Sequence, residues 1–224
     1  MHKIYMLITF LALPYYWVRS FFIRKSGDPE KIARELKTYP RDYFGIRGKK
    51  VTPIGDTTHI YPNCVYLSNH QSHNDIFIVL DAIQKPFRFI AKKELFSNPA
   101  TGPFMRMSQS YPLDRDDPRQ SLTQLKQAVN DINAGCSVLA FPEGTRSHQA
   151  EMLEFKAGMF SMLRKSTVPL VPLYIKDSFN EQTKNYEIYF GDPILPEVFQ
   201  SMKGTELCDY VRARMEELKE HAYA

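Results

Sequence analysis

Short apolar runs of strand length alternate with stretches of helical periodicity through most of this chain, and no other feature constrains its fold as tightly. Val65-Tyr66-Leu67, Phe87 to Ile90, Ser137 to Phe141, Leu170 to Ile175 and Tyr186 to Phe190 read as strands bounded by Pro, Gly, Asn or charged residues. Leu122, Leu125, Val129 and Ile132 recur at helical spacing, as do Leu207, Val211 and Leu218. The pattern predicts an α/β fold: a single domain with a mostly central sheet flanked by helices. The 224 residues contain no Pro/Ser/Gly-rich linker, internal repeat or low-complexity tract, so one substantial domain with a core of its own is expected.

The first segment departs from this composition. Ile4 to Ile23 is apolar and aromatic over about 20 residues, long enough in principle for a hydrocarbon core of about 30 Å, but Pro14 and Arg19 interrupt it. Tyr5, Phe10, Tyr15, Tyr16, Trp17, Phe21 and Phe22 are ring types favoured at a lipid interface, and Arg19, Arg24 and Lys25 suit phosphate headgroups. The expectation is a retained, half-inserted membrane-anchoring segment over residues 1–25, with the following domain facing the cytosol. No small-residue cleavage site follows the apolar run, which argues against a secretory signal. A helical linker spans residues 26–50, with its helix from Asp28 to Tyr39 ending before Pro40. Residues 51–224 form the main domain.

The net charge of +4 is mild and the basic residues are scattered. That distribution disfavours nucleic acid and fits an anionic membrane surface or a phosphorylated substrate. Cys64, Cys136 and Cys208 are far apart and lack C-x-x-C spacing, so neither a disulfide framework nor a zinc site is expected.

Chemistry concentrates in two segments. The first is Asn69-His70-Gln71-Ser72-His73-Asn74-Asp75, between a strand and the apolar start of a helix at Ile76. On one regular helix five residues turn through about 500°, which would separate His70 from Asp75. The spacing brings them together only if His70 precedes the helix and Asp75 enters it. The carboxylate then holds one imidazole nitrogen while the other faces a hydroxyl, the base and orienter of a triad with a substrate alcohol in place of serine. No G-x-S-x-G elbow supplies an enzyme nucleophile, so the hydroxyl to be activated is expected to belong to the substrate. His73 reads as a pocket-wall residue; with His70 and Asp75 it makes no familiar metal motif, and no metal is expected.

The second segment is Phe141-Pro142-Glu143-Gly144-Thr145-Arg146-Ser147. Gly144 permits close backbone approach, Thr145 and Ser147 offer hydroxyl donors, and Arg146 can grip a phosphate in bidentate fashion. Glu143 either holds Arg146 or meets a substrate hydroxyl. A plain turn and a first-turn helix acid are the bland alternatives to this substrate-binding and catalytic reading.

Together these segments resemble the lysophosphatidic acid acyltransferase branch of the glycerolipid acyltransferases, and the resemblance runs from about Pro40 to Pro193. Phe89-Ile90-Ala91-Lys92-Lys93-Glu94-Leu95 resembles the family's second block, followed by Pro99, Gly102 and Pro103 and by Pro112-Leu113-Asp114-Arg115. The resemblance implies charge stabilisation or acceptor binding there, by Lys93 with Lys92 and Arg88 as helpers. Val168-Pro169-Leu170-Val171-Pro172-Leu173 resembles the fourth block, with Val168, Pro169, Val171 and Pro172 as an acyl-channel wall on an edge or short strand. Phe155 to Gly158 and Gly191 to Ile194 also sit where the family has related segments, and His73 stands where relatives often carry an aromatic residue.

The implied reaction is acyl transfer from acyl-CoA or acyl carrier protein to the sn-2 hydroxyl of lysophosphatidic acid, giving phosphatidic acid without a cofactor. His70 and Asp75 are the implied catalytic pair, and Glu143, Gly144, Thr145 and Arg146 the phosphate-binding group. Glycerol 3-phosphate or another lysophospholipid is the competing acceptor. A metal-dependent hydrolase using His70, His73 and Asp75, and a non-catalytic membrane-binding protein, are readings of a different class.

Overall fold

The computed structural model describes residues 2–56, 62–83 and 85–224, with residues 2–13 and 29 as backbone alone. Its strands are β1 (Lys50–Ile54), β2 (Val65–Ser68), β3 (Arg88–Lys92), β4 (Tyr111–Leu113), β5 (Val138–Ala140), β6 (Leu170–Lys176) and β7 (Asn185–Phe190). Its helices are α1 (His2–Ser26), α2 (Pro29–Leu36), α3 (Thr38–Arg47), α4 (Asn74–Ala82), α5 (Glu94–Ser97), α6 (Gly102–Met107), α7 (Pro118–Asn133), α8 (Ala157–Leu163), α9 (Pro196–Phe199) and α10 (Gly204–Tyr223).

The strands form one sheet in the order β1-β7-β6-β2-β5-β3-β4. From β6 to β4 every neighbouring pair is parallel; β7 is antiparallel to β6, and β1 runs parallel to β7. The sheet is therefore mixed, and both its faces are covered. Side-chain alternation along each strand divides the core. Val65, Leu67, Val138, Ala140, Leu170 and Tyr174 join the cluster under α7, α8 and α10. Tyr66, Leu139, Val171, Leu173 and Ile175 join the opposite cluster with Ile78 and Val79 of α4 and Phe104 and Met105 of α6. Burial on both sides explains why the central strands read as continuous apolar runs.

The helices follow their local signals with one correction. Asp28 caps α2, its Oδ1 accepting the Glu30 and Lys31 amides at 3.0 and 3.2 Å. The helix ends at Leu36, and Pro40 does not stop the chain: it lies in the first turn of α3, where its missing N–H has no intrahelical partner to lose. Ile32, Leu36 and Phe44 from α2 and α3 are buried in the same cluster as the sheet.

Along α1, Tyr16 donates to Asp42 Oδ2 at 2.8 Å and Arg19 pairs with buried Glu35 at 2.7 Å. The charge that interrupts the apolar run is thus turned inward. Tyr15, Val18, Phe21 and Phe22 are left on an exposed apolar face, each more than half accessible. Among the described residues no helix is long and apolar enough to cross a membrane; the rings of Tyr5 and Phe10 lie outside the described side chains.

Candidate active site

His70 leaves the C-terminal end of β2 and Asp75 occupies the first turn of α4, so the loop between strand and helix closes the five-residue gap. His70 Nδ1 lies 2.7 Å from Asp75 Oδ2. The same oxygen accepts the Gln71 and Ser72 amides at 2.6 and 2.9 Å, a fixed cradle for a carboxylate with no solvent exposure. The His70 ring stacks on Phe141 with centroids 4.1 Å apart, and the side chain keeps 15% exposure. With Nδ1 engaged, Nε2 is the nitrogen left for a substrate proton.

The loop after β5 is bound to the His70 loop by its backbone. Ser147 N donates to His70 O at 2.8 Å and His148 N to Gln71 O at 3.2 Å. Gly144 takes φ +68°, the left-handed conformation that turns this loop back on itself. Glu143 points inward and is 1% exposed. Its Oε1 accepts the His70 amide and its Oε2 the Leu153 amide, both at 2.7 Å, and burial pushes its pKa up. The expected Glu143–Arg146 contact is not made. Glu143 instead sets the backbone position of His70, because two backbone N–H groups claim its oxygens. Thr145 and Arg146 stand exposed at the rim, and Arg146 has no hydrogen bond or ion pair among the described residues.

Register places the other expected residues. Arg88 pairs with Val138, which pairs with Val65, so Arg88 lies level with the start of β2, at the sheet end away from His70. Its guanidinium is held by Asp131 Oδ2 at 2.7 Å and the Tyr111 hydroxyl at 3.1 Å. Arg88 is therefore removed from the site. Lys92 and Lys93, at the far end of β3, come level with the His70 loop, two strands or about 10 Å to the side. Lys92 pairs with Glu94 at 3.3 Å. Lys93 pairs with Asp114, whose hydrogen bond raises the ammonium pKa.

The expected acyl-channel wall lies in and just before β6. Val168 and Pro169 precede β6 at the end away from His70, while Val171 and Pro172 lie inside it, and all four are buried. They pack within the core and are not open to solvent. Nor is β6 an edge: it lies between β7 and β2. Pro172 is tolerated because the ladder with β7 begins one residue later, at Leu173.

Two contributors were given no role by the sequence: Asn69, inside the first motif, and Ser178, far from both. Asn69 clamps β6 through both atoms of its amide, donating to Ile175 O at 2.9 Å and accepting from Ile175 N at 2.7 Å. Ser178, 103 residues from Asp75, donates its hydroxyl to Asp75 Oδ1. His73 stands at the start of α4 with its ring partly covered, and the loss of hydration there, followed by the charge of Arg146, lowers its pKa. Among the described residues no three His, Cys, Asp or Glu side chains converge in metal-binding geometry.

A buried-carboxylate–histidine pair at the C-terminal end of a largely parallel sheet, beside a glycine turn carrying an exposed arginine, defines an α/β domain equipped to activate a hydroxyl near an anion. Residues 49–176, more than half of the chain, match the family model described as Acyltransferase. The chain belongs to the acyltransferase family. It is 34% identical over 191 residues to a chloroplastic 1-acyl-sn-glycerol-3-phosphate acyltransferase of Brassica napus, covering 84% of this chain and 54% of the relative. A chloroplastic enzyme of the same name from Arabidopsis thaliana is 38% identical over 143 residues, covering 64% and 38%. The chain thus spans about half the length, or less, of these curated relatives. The crystal structure of the 1-acyl-sn-glycerophosphate acyltransferase from Thermotoga maritima shares the fold with a TM-score of 0.79 at 23% identity, covering 100% of this chain and 99% of the other.

Proposed function

We propose that this chain transfers an acyl group from a thioester to the sn-2 hydroxyl of 1-acyl-glycerol 3-phosphate, giving phosphatidic acid. The observation that carries the reading is the imidazole fixed by a buried carboxylate at 2.7 Å, with Nε2 free for an acceptor hydroxyl. The acceptor is inferred from the relatives, which are 1-acyl-sn-glycerol-3-phosphate acyltransferases.

His70 takes the hydroxyl proton on Nε2 as the alkoxide oxygen attacks the thioester carbon, and Asp75 balances the imidazolium that forms. The tetrahedral intermediate collapses, the C–S bond breaks, and His70 returns the proton to the departing thiolate. Arg146, with Gly144 and Thr145 of the same turn, receives the acceptor phosphate. Glu143 serves this group from behind by fixing the turn to the His70 backbone. Lys93, with Lys92 beside it, contributes positive charge to the same rim.

Residues 1–25 seat the domain on the membrane as a half-inserted segment, residues 26–50 connect it, and residues 51–224 carry the chemistry. The exposed Trp17, Val18, Phe21 and Phe22 side chains support this seating, and Arg24 and Lys25 favour a cytosol-facing catalytic domain. The donor is acyl-CoA or acyl carrier protein.

An acceptor panel tests the assignment. With either donor, lysophosphatidic acid is expected to give labelled phosphatidic acid and free thiol, at least about tenfold faster than lysophosphatidylcholine or glycerol 3-phosphate, a preference of roughly 1.4 kcal/mol. A faster reaction with another acceptor overturns the assigned substrate.

A further inference from the structure

We propose that Ser178 is a positioning residue for acyl transfer: its hydroxyl holds Asp75 Oδ1 so that Oδ2 stays aimed at His70 Nδ1. The inference rests on the reading of His70 as general base.

A carboxylate accepts hydrogen bonds through both oxygens, and Asp75 is fully buried, so its orientation depends on protein donors. Oδ2 has His70 Nδ1 and the amides of Gln71 and Ser72. Oδ1 has the Ser178 hydroxyl, in a short contact, as its donor among the described residues. The single proton on Ser178 Oγ has other neighbours, Gln71 Oε1 at 3.3 Å and Ser72 Oγ at 3.4 Å. Gln71 Oε1 already accepts the Ser178 amide at 2.9 Å, and the Ser72 hydroxyl donates to Ser178 O at 2.9 Å. The carboxylate, nearest and charged, takes the proton.

Ser178 is held for this contact from several sides. Asn74 Nδ2 donates to its carbonyl at 3.0 Å, and the residue has no solvent exposure. Asp177 before it adopts φ +49°, rare for a residue with a Cβ, and this turns the chain leaving β6 toward the loop of His70. The Tyr223 hydroxyl at the end of α10 donates to Asp177 Oδ1 at 2.6 Å. A sheet strand, a helix end and the catalytic loop thus converge on one serine that has no access to substrate. Without its hydroxyl the Asp75 carboxylate loses its only described anchor opposite His70, and the imidazole is less firmly held in the tautomer with Nδ1 protonated and Nε2 free.

The test is steady-state acyl transfer to lysophosphatidic acid by wild type, S178A, S178T, D75N and the S178A/D75N double variant, with thermal unfolding as the check on folding. S178A is expected to lower kcat about tenfold, the scale of one hydrogen bond to a charged group, while KM for acceptor and donor stays within about twofold. S178T, which keeps the donor, should retain most of kcat, and S178A should add no further loss in the D75N background. Wild-type kcat in S178A, or an equal fold loss in both backgrounds, overturns the inference. If S178A does not fold, the near-isosteric weak donor Ser178→Cys against S178T carries the same comparison. An inactive wild type, or an undiminished D75N, instead overturns the general-base reading itself.

Discussion

The imidazole of His73 titrates below the ordinary histidine value, first because its ring has lost hydration and then because Arg146 stands near it. A folded-state pKa below about 6.5 means that the folded protein binds this proton more weakly than the unfolded chain. The contribution of His73 to stability therefore rises with pH through the window between the two values, and is lost as pH falls through it. Replacing Arg146 by Ala is expected to move the His73 titration upward, followed by ring-proton NMR against pH; an unmoved midpoint would separate the two residues. At this scale the His70–Asp75 contact was readable in advance, because five residues close only across a loop–helix junction. Glu143 was not, since its partners are backbone amides brought to it by folding, and Ser178 was beyond reach at 103 residues from the carboxylate it meets.

Among the elements, those buried on both faces were the readable ones. β1 and β4, the strands without an apolar run, are the two edges of the sheet. An edge strand has a single ladder and tolerates proline, and these carry Pro53 and Pro112, so neither presents the pattern of a central strand. The same reasoning failed for β6, where Pro172 suggested an edge but lies just beyond the ladder with β7. α1 carries two faces. Tyr16, Arg19 and Ser20 dock on the domain, and Val18, Phe21 and Phe22 stand outward. Each outward side chain contributes on the order of 1.5–3 kcal/mol when fully buried in an apolar phase. The double variant F21E/F22E is expected to weaken binding to anionic phospholipid vesicles at least tenfold in a sedimentation assay, with its thermal unfolding nearly unchanged. Undiminished sedimentation would remove this face from the membrane contact.

For the whole molecule, sheet register organises the chemistry. β2, β5 and β3 are parallel neighbours, so the loops after them emerge on one rim, carrying His70, then Glu143 to Arg146, then Lys93. β6 returns to the same rim to deliver Ser178. This convergence accounts for the separation of the motifs along the chain, about seventy residues between His70 and Glu143. Whether the imidazole of His70 moves the acceptor proton is decided by single-turnover acyl transfer to lysophosphatidic acid with wild type and a folded H70A variant. Wild type is expected to give measurable phosphatidic acid and thiol, and H70A to lose at least about a hundredfold, the lower range for general-base catalysis; transfer by H70A at the wild-type rate would remove His70 from that role.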